Sequence, residues 1–263
     1  RVLITAVSGI FGSKNIDFMK QAIKGEVWVL GVDKIFNYLA EEKADKFVLV
    51  PSGDSIDYIN KICELIKIYD ISHILPCSDE EAVNLSKNRK KIESMGVSLA
   101  TADFKNIEIM SNKISTYKLF SKSGIDVPKF KIIRNKSDME KYSLSFYKER
   151  GSFVIKDAVT RGNRGTILVD KNIKDKIDYM GSRELHVGWD YFRENIIKKD
   201  DQEFPKLITE RLYKPAYDID ILAKNGKIIH AIPRERINPA GVPYQGNIMR
   251  NNSKLIKLSH KVA

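Results

Sequence analysis

Short apolar runs alternate with amphipathic segments through the first hundred residues, and this alternation constrains the fold most. The runs "VLITAV" (2–7), "VWVLGVD" (27–33), "KFVLVP" (46–51) and "SHILPCS" (72–78) are too short for helices and rich in β-branched residues. Between the first two, "SKNIDFMKQAIKG" places Ile16, Met19 and Ile23 at helical spacing and ends on Gly25. "SIDYINKICELIKIYD" sets Ile59, Ile62, Leu65 and Ile66 on one helical face. "DEEAVNLSKNRKKIESMG" opens with the acidic residues that a helix N-terminus favours. Such alternation predicts a mostly parallel, Rossmann-like sheet covered by helices.

Near residue 100 the pattern changes. Two short helices are expected in "TADFKNIEIMSNKISTYKLFSKSG", followed by Pro128 and then mainly strands. These strands are "KFKIIR", "SFVIKD", "GTILVD", "KLITERL", "YDIDILAK" and "KIIHAIPRER". Asn225–Gly226 is a hairpin turn signal. The stretch "DYMGSRELHVGWDYFRENIIKKDDQEFP" carries weaker signals, with one helix expected near Tyr191–Lys198 and then a charged loop. The fold class is therefore an α/β unit followed by an α+β unit.

A net charge of +11 is spread along the chain, without the basic and aromatic strip that stacks bases. This favours small anionic ligands over nucleic acid. No apolar run approaches the ~20 residues that span a bilayer. Cys63 and Cys77 have neither metal-like nor redox-like spacing, and read as reduced thiols of a cytoplasmic protein. The four histidines form no zinc-binding pair.

One stretch carries chemistry: "SFVIKDAVTRGNRGTILV" (152–169). Its first strand ends near Lys156, and the following loop holds Arg161, Gly162, Asn163, Arg164 and Gly165. Glycines let successive amide N–H groups converge on an anion, and the cations add charge. A polyphosphate suits such a loop. The plain alternative is an ordinary basic hairpin with a surface lysine.

The order "SNK", "SGIDVPKF", "SFVIKD", "RGNRG", "ITERL", "YDIDILAKNGKII" resembles the ATP-grasp superfamily. Its flavour is that of the carbamoyl-phosphate-synthase large subunit, to which "IPRERINPAG" is similar. The resemblance implies a pre-ATP-grasp domain over residues 1–103 and an ATP-grasp domain over 104–263. Within the latter, 126–211 would be the lid subdomain and 212–263 the start of a larger one. It implies that Lys113 and Lys156 approach ATP and that "TRGNRG" closes over the phosphates. Glu210, Arg211 and Leu212 would form the linker beside adenine. Arg234 and Arg236 would grip an anionic acceptor or acyl phosphate, with Gln245 lining the same pocket. The implied chemistry is ATP-dependent ligation: a carboxylate or bicarbonate becomes an acyl phosphate, which an amine or other nucleophile attacks. Small-molecule substrates and a homodimer are the implied partners.

The sequence departs from the family pattern at several points. Ala216 stands where a ribose-binding Glu is usual, and Asp218 is the expected substitute. The family's Mg2+ ligands lie on strands expected beyond residue 263, so the chain reads as an inactive piece. Two rival readings remain. "VSGIFG" with Asp33 suggests an NAD(P)-binding Rossmann oxidoreductase, although Ser8 replaces the first glycine and a tight turn at Gly9 and Gly12 explains the stretch equally. A non-catalytic nucleotide-binding protein on the same fold is the other.

Overall fold

The computed structural model describes residues 1–23, 27–160, 164–180, 184–199, 202–237 and 246–263, with backbone alone for 176–180. Gly25, Arg161, Gly162, Asn163 and Gln245 thus lie outside the described residues or side chains. The chain forms two compact units, Arg1–Ser111 and Asn112–Ala263.

The first unit begins with β1 (Val2–Thr5), α1 (Gly12–Ala22), β2 (Val29–Asp33), α2 (Tyr38–Lys43) and β3 (Lys46–Leu49). It continues with α3 (Tyr58–Tyr69), β4 (His73–Leu75), α4 (Asp79–Lys87), α5 (Arg89–Glu93), β5 (Ser98–Leu99) and α6 (Phe104–Ser111). The sheet order is β3-β2-β1-β4-β5, and every pairing is parallel. Strands β1 and β2 are buried throughout because helices cover both faces. Leu3, Leu30, Val32 and Ile74 pack with Ile62, Leu65 and Leu85 of α3 and α4. Val2, Ile4 and Val29 pack with Ile16 and Ala40 of α1 and α2. Alternation along each strand sends neighbouring residues to opposite cores. The first unit extends past residue 103, since α6 packs on α4.

The second unit opens with α7 (Lys113–Lys122), β6 (Phe130–Ile133), α8 (Lys136–Arg150), β7 (Ser152–Asp157) and β8 (Thr166–Asp170). Next come β9 (Lys176–Met180), β10 (Glu184–Val187), α9 (Trp189–Phe192), a π-helical turn (Arg193–Ile197) and β11 (Lys206–Glu210). It ends with β12 (Ala216–Lys224), β13 (Lys227–Arg236), β14 (Asn247–Met249) and α10 (Ser253–Val262). Six strands form a mixed sheet in the order β6-β11-β7-β8-β10-β9, and β12-β13-β14 form a second, antiparallel one. On one face of the larger sheet, Phe153, Ile155, Val169, Val187 and Ile208 pack with Phe146 of α8 and Phe192 of α9. On the other face, Ile132, Phe130 and Leu207 meet Ile114 and Tyr117 of α7. The apolar pattern of the sequence predicts no element over Lys136–Arg150, where the structure has α8. Asn135 caps its start by accepting from the Asp138 amide, and Gly151 ends it in the left-handed region.

Candidate functional site

Strand pairing fixes which side chains share the face of the large sheet opposite α8 and α9. Lys156 stands opposite Leu207, and Glu184 stands beside Thr166. Val154 pairs with Leu168, so alternation puts Lys156, Thr166, Leu168, Glu184 and His186 on that same face. Lys156 is partly buried, and loss of hydration holds its ammonium below the ordinary lysine range; Glu184 pulls weakly the other way. Among the described residues no carboxylate lies within ion-pair distance of it. Glu184 instead holds His186, Nε2 to Oε2 at 3.1 Å. The sequence reading passed over this pair, although its polar residues at 184 and 186 between apolar 185 and 187 carry the period of a half-buried strand.

Lys113 reaches the same end of the sheet. It is the first residue of α7, whose cap Asn112 accepts from the amides of Ile114 and Ser115. The Lys113 amide donates to the Ala158 carbonyl at 2.9 Å. Its ammonium donates to the Thr160 carbonyl, and lies 3.2 Å from the Thr160 hydroxyl. Ile114, one residue on, packs against Ala158 and Leu207. Both lysines therefore border the segment 158–160 on one face of the sheet. At the far side of the loop, Arg164 is exposed and Gly165 has φ +70°. A Cβ at Gly165 would stand 1.9 Å from Asp157 Oδ2, so only glycine permits this approach. Asp157 in turn pairs with the buried Lys206.

Apart from Leu212, the remaining expected site residues are engaged with one another or with the scaffold. Glu210 accepts from the Lys129 amide at 2.7 Å and pairs with Arg150 at 2.8 Å. Arg211 pairs with the buried Asp170 and lies over the Tyr213 ring. Leu212 is largely exposed. On the smaller sheet, Arg234 forms a two-pronged pair with Asp220, at 2.6 and 2.8 Å. Arg236 Nε lies 3.8 Å from Asp218. The register sets Asp218 opposite Arg234, so the two arginines and two aspartates share one face. Among the described residues no three His, Cys, Asp or Glu side chains converge as a metal ion requires.

In the first unit, Asp33 closes its own loop. Its two oxygens accept from the amides of Ser8 (2.9 Å) and Ile35 (3.0 Å). A Cβ at Gly12 would fall 1.8 Å from the Val7 carbonyl oxygen, so this glycine brings α1 onto the turn. Both features are explained by packing of helix on sheet. No described helix is long and apolar enough to cross a membrane.

Residues 2–100 match the family described as "PylC-like, N-terminal domain". No curated protein matches the chain. Among solved structures, it is similar to carboxyaminoimidazole ribonucleotide synthase from Aspergillus clavatus complexed with ATP, with TM-score 0.69 and 13% identity over 99% of this chain and 62% of that one. L-amino acid ligase from Bacillus licheniformis gives 0.65 and 13%, over 99% and 58%. N5-carboxyaminoimidazole synthetase from Staphylococcus aureus complexed with ADP gives 0.65 and 12%, over 99% and 61%. The chain thus spans about three-fifths of the length of these structures. The likeness shows the fold, a Rossmann-like unit followed by an α+β unit.

Proposed function

We propose that this chain carries the nucleotide-binding face of an ATP-dependent ligase that joins a carboxylate, or bicarbonate, to an amine. One observation carries the reading. Lys156 stands partly dehydrated on a sheet face, without a counter-ion among the described residues, beside a glycine-bearing loop tied to Lys113. A dehydrated cation gains more from an anion than a solvated one. The ATP and ADP complexes of the fold's relatives support a nucleotide as that anion.

The chemistry follows from the reactivity of a carboxylate, which is too electron-rich for direct attack by an amine. A carboxylate oxygen attacks the γ-phosphorus, the bond to the β–γ bridging oxygen breaks, and ADP leaves with that electron pair. The amine nitrogen then attacks the acyl carbon, and the C–O bond breaks to release phosphate. Lys156, Lys113 and Arg164 would neutralise the phosphate oxygens. The 158–165 loop would exclude water from the acyl phosphate. Glu210, Arg211 and Leu212 would flank adenine through their backbone, their charged side chains being held elsewhere. Asp218 would take the ribose, and Arg234 and Arg236 the acceptor anion, by exchanging their present partners. A carbamoyl-phosphate-synthase-like subtype rests on the "IPRERINPAG" segment alone.

Titration calorimetry with ADP tests the reading. Lys156→Ala should weaken ADP at least about tenfold, the worth of one charge-assisted hydrogen bond. Equal affinity in a folded variant would refute it.

A further inference from the structure

The opposite face of the large sheet carries a second feature, independent of the nucleotide reading. A cavity of about 490 Å³ opens between α8 and the α9–π-turn helix. Its apolar lining is Trp189, Leu144 and Ile197, and its charged lining is Glu140, Arg193 and Lys198. This volume suits a small ligand rather than a peptide.

The charges are arranged unusually. Glu140 and Leu144 are four residues apart and so share one face of α8. Arg193 and Ile197 belong to the π-helical turn, where the Lys198 amide donates to the Arg193 carbonyl across five residues. A π turn widens a helix locally and recurs at functional sites. Lys198 is already paired with Glu194. Glu140 and Arg193, both exposed, line one cavity from facing helices, and neither side chain has an ion pair or hydrogen bond among the described residues. They do not reach each other. A group bearing both charges could pair with both side chains and lay its apolar part on the indole. One face of that indole is already stacked on Tyr147 at 4.4 Å between centroids, which holds the ring in place.

We propose that this cavity binds an α-amino acid with an apolar side chain: its carboxylate meets Arg193, its ammonium meets Glu140, and its side chain lies on Trp189, Leu144 and Ile197. The site lies on the side of the sheet away from Lys156, so its ligand is an effector rather than the substrate held at the phosphates.

Trp189 reports on the site directly. The full chain has two tryptophans, and Trp28→Phe leaves Trp189 as sole reporter. Titration with L-phenylalanine and L-leucine should give a saturable change in its emission. Phenylpropionate, which lacks the ammonium, and phenethylamine, which lacks the carboxylate, should bind at least about tenfold more weakly. Arg193→Gln and Glu140→Gln, each checked for an unchanged melting temperature, should each weaken phenylalanine by about the same factor. Their affinity for ADP should stay at the wild-type value. The proposal is overturned by the absence of a saturable change up to about 10 mM amino acid. It is equally overturned by analogues that bind as well as the amino acids, or by variants that lose ADP and amino acid together. None of these results bears on whether Lys156 binds ADP.

Discussion

Gly165 and Glu81 are two residues whose surroundings dictate measurable behaviour. Gly165 sits at positive φ against Asp157, so Gly165→Ala adds backbone strain and a collision with a paired carboxylate. It should cost about 1 kcal/mol or more, which a drop of about 2–4 °C in melting temperature would register. Glu81 is buried at the N-terminal end of α4, where it accepts from Ser78 at 2.9 Å. Burial pushes its carboxyl above the ordinary glutamate value, opposed by hydrogen bonds from Thr5 and Ser78 and reinforced by the nearby charge of Asp33. The folded state therefore holds this proton more tightly than the unfolded chain does. Its contribution to stability is fully present below the unfolded-state value and falls as pH rises from that value through the raised folded one. Glu81→Gln should flatten the fall in denaturation midpoint across this window, and an unchanged slope would contradict the assignment. Lys156 was legible as a single residue because a lysine before a glycine- and arginine-bearing loop is chemically distinctive. The partners that occupy Glu210, Arg211 and Arg234 were not, since Arg150, Asp170 and Asp220 meet them only through strand pairing and helix packing.

Among the elements, α8 shows how weak periodicity hides a helix. Its apolar residues do not form one stripe: Met139, Ser143 and Phe146 face the core while Leu144 is exposed toward the cavity. Its caps carry the signal instead. Asn135 three residues before Asp138 and Gly151 at the end mark the boundaries. Asn135→Ala should destabilise the second unit by about 1 kcal/mol, measured by urea denaturation. Strands β1 and β2 were readable from their apolar runs, because burial on both faces leaves no polar position to obscure them. Strands β9 and β10 were not, because Glu184 and His186 alternate with Leu185 and Val187 over too few residues to stand out. The hairpin was readable down to its turn, where Asn225 and Gly226 both take positive φ as the tight turn requires.

At the scale of the whole molecule, each unit has a core of its own. The core around Ile62 in the first unit shares no residue with that around Phe153 in the second. Ile62→Ala should cost about 2–5 kcal/mol. Native-state hydrogen exchange should place that loss in residues 1–111, with the amides of β7 and β8 unchanged, whereas a uniform loss would contradict separate cores. In the second unit, the partly dehydrated ammonium of Lys156 stands on a sheet face. Isotope-edited NMR of the Lys156 side chain, titrated with pH in the absence and presence of saturating ADP, tests the functional account most directly. The account predicts a titration below the ordinary lysine range without nucleotide and a clear upward shift with it, because a neighbouring phosphate favours the charged form. A titration that ADP leaves unmoved would contradict it.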